Sequence, residues 1–486
     1  MRPITRRAAL ILGGVGVAGV ATACTGTAPS RSVLPTAGPA GISGGAELIE
    51  PAVLRSTDGV LATELRAAAQ RVAISGRQVV ALSYNSGVPG PTLRLRPGDT
   101  LAVSLRNELA DSTNLHVHGL HVSPEGNSDN PFVMVNPGET FDYRIALPPD
   151  HAPGVYWYHP HHHGVAADQV FGGLYGAIIV EDPDSIPVDR ERILVVSDIT
   201  LTAADTVAEA SPMQKTAGRE GELVLVNGQL TPTLAARPGE RERWRVVNAC
   251  VSRYLRLRLD GQQLTLLGID SGRFSQPREM EEIVLAPGNR ADLLVTTQAG
   301  TSALQTLAYT RTAPDGMMGG GGSSVGTLAL ASLTVTGADA PPATALPAQS
   351  APRDLRGAAV TARRELVFSM GMGGMGGAAM SATINGRSFD PERVDTTVQF
   401  GSVEEWLLTN TSSMDHPLHL HVWPMQIVEQ DGRPLESVLW QDVVNIPARS
   451  TVRVRIAFDD FDGRTVYHCH ILDHEDAGMM GVIQAL

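Results

Sequence analysis

Cysteine is nearly absent from this chain, with three residues in 486, at positions 24, 250 and 469. Cys24 falls in the N-terminal apolar segment, so only Cys250 and Cys469 remain, which excludes a disulfide framework. Cys250, in the apolar run "RVVNACV", reads as a small buried hydrophobe. Lysine is scarcer still: Lys215 is the only one, a skew read as genomic bias. Beyond the N-terminus no apolar run reaches the roughly 18 residues that span a bilayer. Positive charge is in short supply as well. The formal net charge is −13, and without the first 23 residues (which hold Arg2, Arg6, Arg7 and no acid) 35 basic residues face 51 acidic ones. Such a surface repels nucleic acid and anionic lipid and weakly attracts cations, so no nucleic-acid partner is expected.

What is plentiful is glycine, with 50 residues, and proline, with 32, which favours turns over long helices. The length suggests about three domains. The opening "MRPITRRAALILGGVGVAGVATAC" has a basic start, an apolar stretch and small residues before Cys24, the pattern of an export signal. "TRRAAL" resembles a twin-arginine signal, and Cys24 suits either lipid attachment or a position near ordinary cleavage. A periplasmic or cell-surface protein, anchored at most by a lipid, is expected. Segments 30–50 and 337–358 are Ala/Pro/Ser/Gly-rich linkers. Three segments share a theme: "GPTLRLRPGDTLAVSLRNEL" (90–109), "TPTLAARPGERERWRVVNAC" (231–250) and "DTTVQFGSVEEWLLTNTS" (395–412). Each joins a turn to an alternating strand that ends near an Asn, and their spacing predicts three copies of one domain. Short β-rich runs between turns predict antiparallel sandwiches. The expected layout is a signal and linker over 1–45, then β-sandwich domains over 46–185, 186–340 and 355–486.

The 14 histidines gather in "HVHGLH" (116–121), "YHPHHHG" (158–164), "HPLHLH" (416–421) and "HCHILDH" (468–474), with His151 apart. Chance would give about 0.4 His-x-His pairs, whereas five are present, at 116/118, 159/161, 161/163, 419/421 and 468/470. In a strand, residues i and i+2 share a face, so each pair can offer two imidazoles to one metal cluster. In "TVYHCHI" the same alternation sends His468 and His470 to one face and Cys469 to the other. One thiolate, two imidazoles and a weak thioether form the ligand set of a blue-copper site. Cys469, His474 and Met479 supply its local part, and His416 is a candidate for the rest. Two Met/Gly-rich segments, 317–324 and 370–380, read either as low-complexity loops or as soft thioether ligands for Cu(I).

"HVHG", "YWYHPH", "HPLHLH" and "HCHILDHEDAGMM" resemble, in order, the four copper signatures of the multicopper oxidases, the family of laccases and bacterial cuprous oxidases. The resemblance implies three cupredoxin-like Greek-key sandwiches, an all-β fold, and four coppers per chain. By position, His416, Cys469 and His474 would hold type 1 copper with Met479 axial. His116 and His419 match type 2 ligands, while His118, His159, His161, His421, His468 and His470 match the type 3 pair. His121, His151, His162 and His163 are left without a role and read as solvated loop residues. The second domain is expected to be a spacer.

The implied activity is one-electron oxidation of a small reducing substrate coupled to four-electron reduction of O₂, by a monomer. A non-catalytic copper-binding or storage protein is the alternative, and a two-domain nitrite reductase lacks the type 3 histidines. Phenols, aromatic amines and Cu(I) are the candidate substrates. "HEDAGMM" and the methionine-rich segments resemble cuprous oxidases involved in copper tolerance, which points to Met414, Met370, Met372 and Met375 as Cu(I) contacts. The acid that accompanies Met414 in those enzymes is Ser412 here, and Asp415 and Asp442 are the acids weighed for its place, each with a surface role as the alternative. Glu475, and more loosely Asp129, are the candidate proton-relay acids.

Overall fold

The computed structural model describes residues 45–312, 326–372 and 380–486, with 372 and 380 described by backbone alone. The leader with Cys24, the segment 317–324 and Met375 lie outside the described residues, as does the side chain of Met372. The described chain is built from six sheets that face each other in pairs, each pair closing on its own apolar core. Strand alternation explains the layering. In Thr451–Phe458, Val452, Val454, Ile456 and Phe458 are buried while the residues between them are half-exposed, as a one-sided strand requires.

The first sandwich sets a four-stranded sheet against a five-stranded one that ends in Gly154–His159 and His116–His118. The third pairs a six-stranded sheet with a five-stranded one ordered Thr396–Val398, Met480–Ala485, Gly463–Cys469, His416–Leu420 and Val443–Ile446. All four histidine motifs therefore sit on or just beyond strands of these two five-stranded sheets. A further core joins the first two sandwiches, with Trp157, Val170 and Ile179 against Val195, Leu225 and Val247. Full burial of one such aliphatic side chain is worth about 1.5–3 kcal/mol, so the second sandwich is packed firmly against the first.

The three repeated segments do the same structural work. Gly98, Gly239 and Gly401 each take a left-handed φ, at 85°, 80° and 78°, so the "FGS" turn of the third copy keeps the one residue that this turn needs. At the far end of the strand, Asn107, Asn248 and Asn410 each donate to a carbonyl four or five residues on, at Asp111, Arg253 and Met414, and to one far along the chain, at Val135, Leu285 and Ile446. Each also accepts from the backbone N–H two residues on, at Leu109, Cys250 and Ser412. The second and third copies share one more device. The Trp244 and Trp406 indoles donate to Glu242 and Glu404 at 2.7 and 2.8 Å, and Arg192 and Arg364 each grip the same carboxylate from the neighbouring strand.

Candidate metal centre

The strand pair His416–Leu420 and Gly463–Cys469 sorts the titratable side chains by parity. Leu418 lies opposite Cys469, and His419 opposite His468. His416, Leu418 and Cys469 thus point to the core side of the sheet, and His419, His421 and His468 to the other. On the core side Cys469 Sγ lies 3.5 Å from His416 Nδ1 and 3.9 Å from His474 Nδ1, all three fully buried. Met479 is buried in the same core. The short turn that holds it is pinned by Cys469 N–H donating to the Met479 carbonyl at 3.0 Å.

Both imidazoles present Nδ1 to the sulfur because Nε2 is occupied elsewhere. His474 Nε2–H donates to the Thr216 carbonyl at 3.1 Å. Ser412 Oγ lies 2.9 Å from His416 Nε2, and also 2.9 Å from two acceptors, the Met414 carbonyl and Asn410 Oδ1. A hydroxyl has one proton. It serves one of those acceptors and leaves a lone pair for His416 Nε2–H. Burial pushes the Cys469 thiol up and both imidazoles down, His474 to about 3. Neutral imidazoles around a protonated thiol in an apolar core form a ligand set that a soft metal would deprotonate.

Beyond the sheet, eight buried imidazoles converge: His116, His118, His159 and His161 from the first sandwich, and His419, His421, His468 and His470 from the third. Nε2 atoms face each other at 3.3 Å for His116 and His419, 3.0 Å for His161 and His468, and 3.2 Å for His421 and His468. His118 instead turns Nδ1 inward, 3.5 Å from His159 Nε2. Three groups of these imidazoles, the Cys469 set, and His118 and His419 together with Asp442 each bring their ligand atoms within 4.8 Å of one another. Several of the remaining ring nitrogens are anchored: His159 Nδ1–H donates to the Pro160 carbonyl and His419 Nδ1–H to that of Asp442, each at 2.8 Å. His116 Nδ1 lies 2.9 Å from Asp129 Oδ1. Anchoring of this kind aims the remaining lone pair at a metal.

The cluster fits copper. Burial holds seven of these imidazoles below their usual range, His159 to about 3 and His161 to about 4. They are therefore neutral and carry free lone pairs. Among the described residues both ring nitrogens of His470, and Nδ1 of His421, have no hydrogen-bond partner. Buried polar atoms are rarely left so. A cation held in the cluster would satisfy one nitrogen of His470, since an imidazole can turn only one of its nitrogens to a given metal.

Glu475, a candidate relay acid, is fully buried against the cluster; its Oε2 lies 2.9 Å from His468 Nδ1 and its Oε1 3.6 Å from His161 Nε2. Burial opposes its charge, and the imidazoles of His161, His468 and His159 outweigh that and bring the carboxyl down to about 2. Burial pushes Asp129 up to about 8, against the N–H that Val117 donates to it. Asp473 is held by the Arg219 backbone and guanidinium, and Asp476 accepts three N–H groups from 164–167. Neither Asp415 nor Asp442 is a surface acid. Asp415 accepts the Tyr309 hydroxyl and the Ala448 N–H, while Asp442 turns to His118 and Arg290 and not to the Met414 side. Met414 is half-buried next to Asp415, and Met370 lines a cavity of about 210 Å³ beside His474 with Lys215, Thr216, Asp473 and Asp476.

Two histidines that the sequence left idle have work. His121 Nδ1–H donates to the Val422 carbonyl at 2.8 Å, and its Nε2 lies 2.7 Å from Asp460 Oδ2. Buried His151 accepts the His121 backbone N–H at 3.0 Å. Val422 directly follows His421 and has an unfavourable φ of 69°, so this contact from the first sandwich braces the end of the third histidine motif. His163 is exposed and His162 half-buried. Arg290 escaped sequence reasoning altogether. Its signal was a charge inside the otherwise buried run "RADLLV", which demands a partner.

Three family profiles, each described as multicopper oxidase, match residues 67–185, 190–318 and 360–485. Among curated relatives, the Mycobacterium tuberculosis multicopper oxidase MmcO is 30% identical, over 96% of this chain and 94% of its own. A Staphylococcus haemolyticus multicopper oxidase is 28% identical over 83% of each chain. Among solved structures, a Campylobacter jejuni multicopper oxidase, characterised as a metallo-oxidase, superposes with a TM-score of 0.78 at 30% identity, over 91% of this chain and 95% of that one. The chain is an oxidoreductase of the multicopper oxidase family, with cupredoxin-like all-β domains and copper as its cofactor.

Proposed function

We propose that this chain carries four coppers and couples one-electron oxidation of a small substrate to reduction of O₂. His416, Cys469, His474 and Met479 would hold the type 1 copper, His116 and His419 the type 2 copper, and His118, His159, His161, His421, His468 and His470 the type 3 pair. Bound there, copper supplies redox chemistry in which four electrons, with four protons, convert O₂ to two waters. One observation carries this reading: Cys469 joins the thiolate group on one side of a strand to the imidazole cluster on the other through adjacent residues of a single chain segment. Storage of copper needs no such link. Asp129 orients His116 through Nδ1, and the Glu475 carboxylate between His161 and His468 would accept a proton and pass it to the cluster. The leader fits export by the twin-arginine route, with Cys24 placed for lipid attachment.

Copper-loaded protein should take up O₂ in proportion to reductant oxidised, at about four electrons per O₂, with about four coppers per chain by metal analysis. Copper binding without O₂ uptake would favour the storage reading.

For the substrate, the cavity beside His474 favours Cu(I). Met370 offers a thioether, and the acidic surface favours cations. Met414→Leu combined with Met370→Ala is expected to raise the apparent KM for Cu(I) about tenfold while sparing phenol oxidation. Equal loss on both substrates would point to structural damage, and no loss would leave these methionines as packing.

A further inference from the structure

The second sandwich also reaches the histidine cluster. The turn between strands Ile283–Leu285 and Arg290–Thr296 lays Gly288 flat against His470. A Cβ there would lie 2.8 Å from Cε1 and Nε2 of the imidazole, so only glycine allows this approach. Asn289 Nδ2 then donates to the Val443 carbonyl at 3.0 Å and to Asp270 Oδ2 at 2.8 Å. Arg290, fully buried, touches all three sandwiches. Its Nη1 and Nη2 donate to Asp442 Oδ1 and Oδ2 at 2.5 and 2.7 Å, its Nε to the Val155 carbonyl at 3.0 Å, and its backbone N–H to Asp270 Oδ1 at 2.9 Å. A Cβ on Gly119, the residue after His118, would run into this guanidinium.

Asp442 passes the constraint on. Its Oδ1 lies 3.2 Å from His118 Nε2, and its carbonyl accepts His419 Nδ1–H at 2.8 Å. A bidentate guanidinium fixes the plane of a carboxylate, which a point charge does not. With its plane fixed, Asp442 takes the Nε2–H of His118 and leaves Nδ1 as the lone pair facing the cluster. His419, held at Nδ1, is left with Nε2. Adjacent imidazoles thus present opposite ring nitrogens, and His118 and His419 stack at 3.8 Å between centroids.

We propose that the turn Gly288–Arg290 is a third wall of the copper cluster, and that Arg290 is a positioning residue that, through Asp442, sets which nitrogen of His118 and His419 meets the metal. The second sandwich is then a functional part of the site and not a spacer. The proposal rests on the trinuclear reading given above.

The test compares wild type, Arg290→Lys, Arg290→Met and the double variant Arg290→Met/Asp442→Asn. The double variant removes the stranded carboxylate charge in case Arg290→Met fails to fold. Each full-length protein is loaded with copper and challenged with a chelator, while blue absorption and the EPR signal of the non-blue copper are followed in the same sample. Arg290→Met and the double variant should keep the blue absorption but release cluster copper about 10–100-fold more readily, with an altered non-blue EPR spectrum. Arg290→Lys, which keeps the charge but loses the fork, should fall between them and wild type. Unchanged cluster copper and EPR in the folded double variant would overturn the proposal. So would parallel loss of blue and non-blue copper, which assigns Arg290 to folding alone. A wild-type protein that loads copper only at Cys469 would instead bring down the trinuclear reading itself.

Discussion

Cys469→Ser is expected to abolish both the blue absorption and substrate oxidation of the copper-loaded protein while the three sandwiches stay folded. The intense colour of such a site comes from the thiolate–Cu(II) bond, which a serine hydroxyl cannot form. The substitution is nearly isosteric, and the surrounding core of Leu418, Leu420, Ile471 and Met479 is otherwise untouched. Burying that hydroxyl costs about 1–3 kcal/mol, too little to unfold a third sandwich closed by two full sheets. Circular dichroism and thermal melting should therefore change little. Metal analysis should fall from about four to about three coppers per chain, because His468 and His470 keep their places across the strand. Retention of blue colour and activity would remove Cys469 from the site and overturn the whole assignment. Loss of all copper would mean instead that the two groups do not load independently.

The histidine motifs were legible because their logic is local. Pairs two residues apart share a face, and strand parity separates His468 from Cys469 whatever the rest of the chain does. The triplicated turn and Asn device was legible for the same reason: Gly98, Gly239 and Gly401 solve one local backbone problem three times. What escaped reading is what depends on residues far apart in the chain. Arg290 and Asp442 are 152 positions apart, and neither carries a periodic mark. In the sequence, Asp442 reads as a plausible neighbour of Met414, but its strand places it on the opposite side, against His118. His121 and Val422, 301 positions apart, are the same kind of case. The Thr216 carbonyl that fixes the His474 ring is a backbone atom, invisible to any residue-type argument. Local chemistry names the ligands, and tertiary contacts choose which of their atoms face inward.

The same distinction governs the proton supply. On the proposed reading, reduction of O₂ to water would consume four protons in a cluster walled by imidazoles whose free nitrogens would be committed to metal, so those rings would not shuttle protons readily. Of the three acids in "LDHEDAG", only Glu475 faces the cluster. Asp473 is locked by Arg219, and Asp476 is turned to the 164–167 backbone. Glu475 also has an outward neighbour. Asp476, half-buried on the wall of the cavity beside His474, has its carboxyl pushed up to about 8 by burial and by the charge of Glu475. On the same reading, a proton entering from that cavity would meet Asp476 first, then the carboxylate of Glu475, then the cluster. Glu475→Gln keeps the size and hydrogen-bonding capacity but cannot release and rebind a proton. It is expected to slow reoxidation of the fully reduced enzyme by O₂ about 10²-fold or more, with copper loading, blue absorption and the rate of reduction by substrate unchanged. Stopped-flow mixing of anaerobically reduced protein with O₂ measures the step directly. A reoxidation rate equal to wild type at full copper loading would leave Glu475 as an anchor for the His468 ring. A slow rate together with lost cluster copper would say the same, because an anchor is what holds the ligand in place.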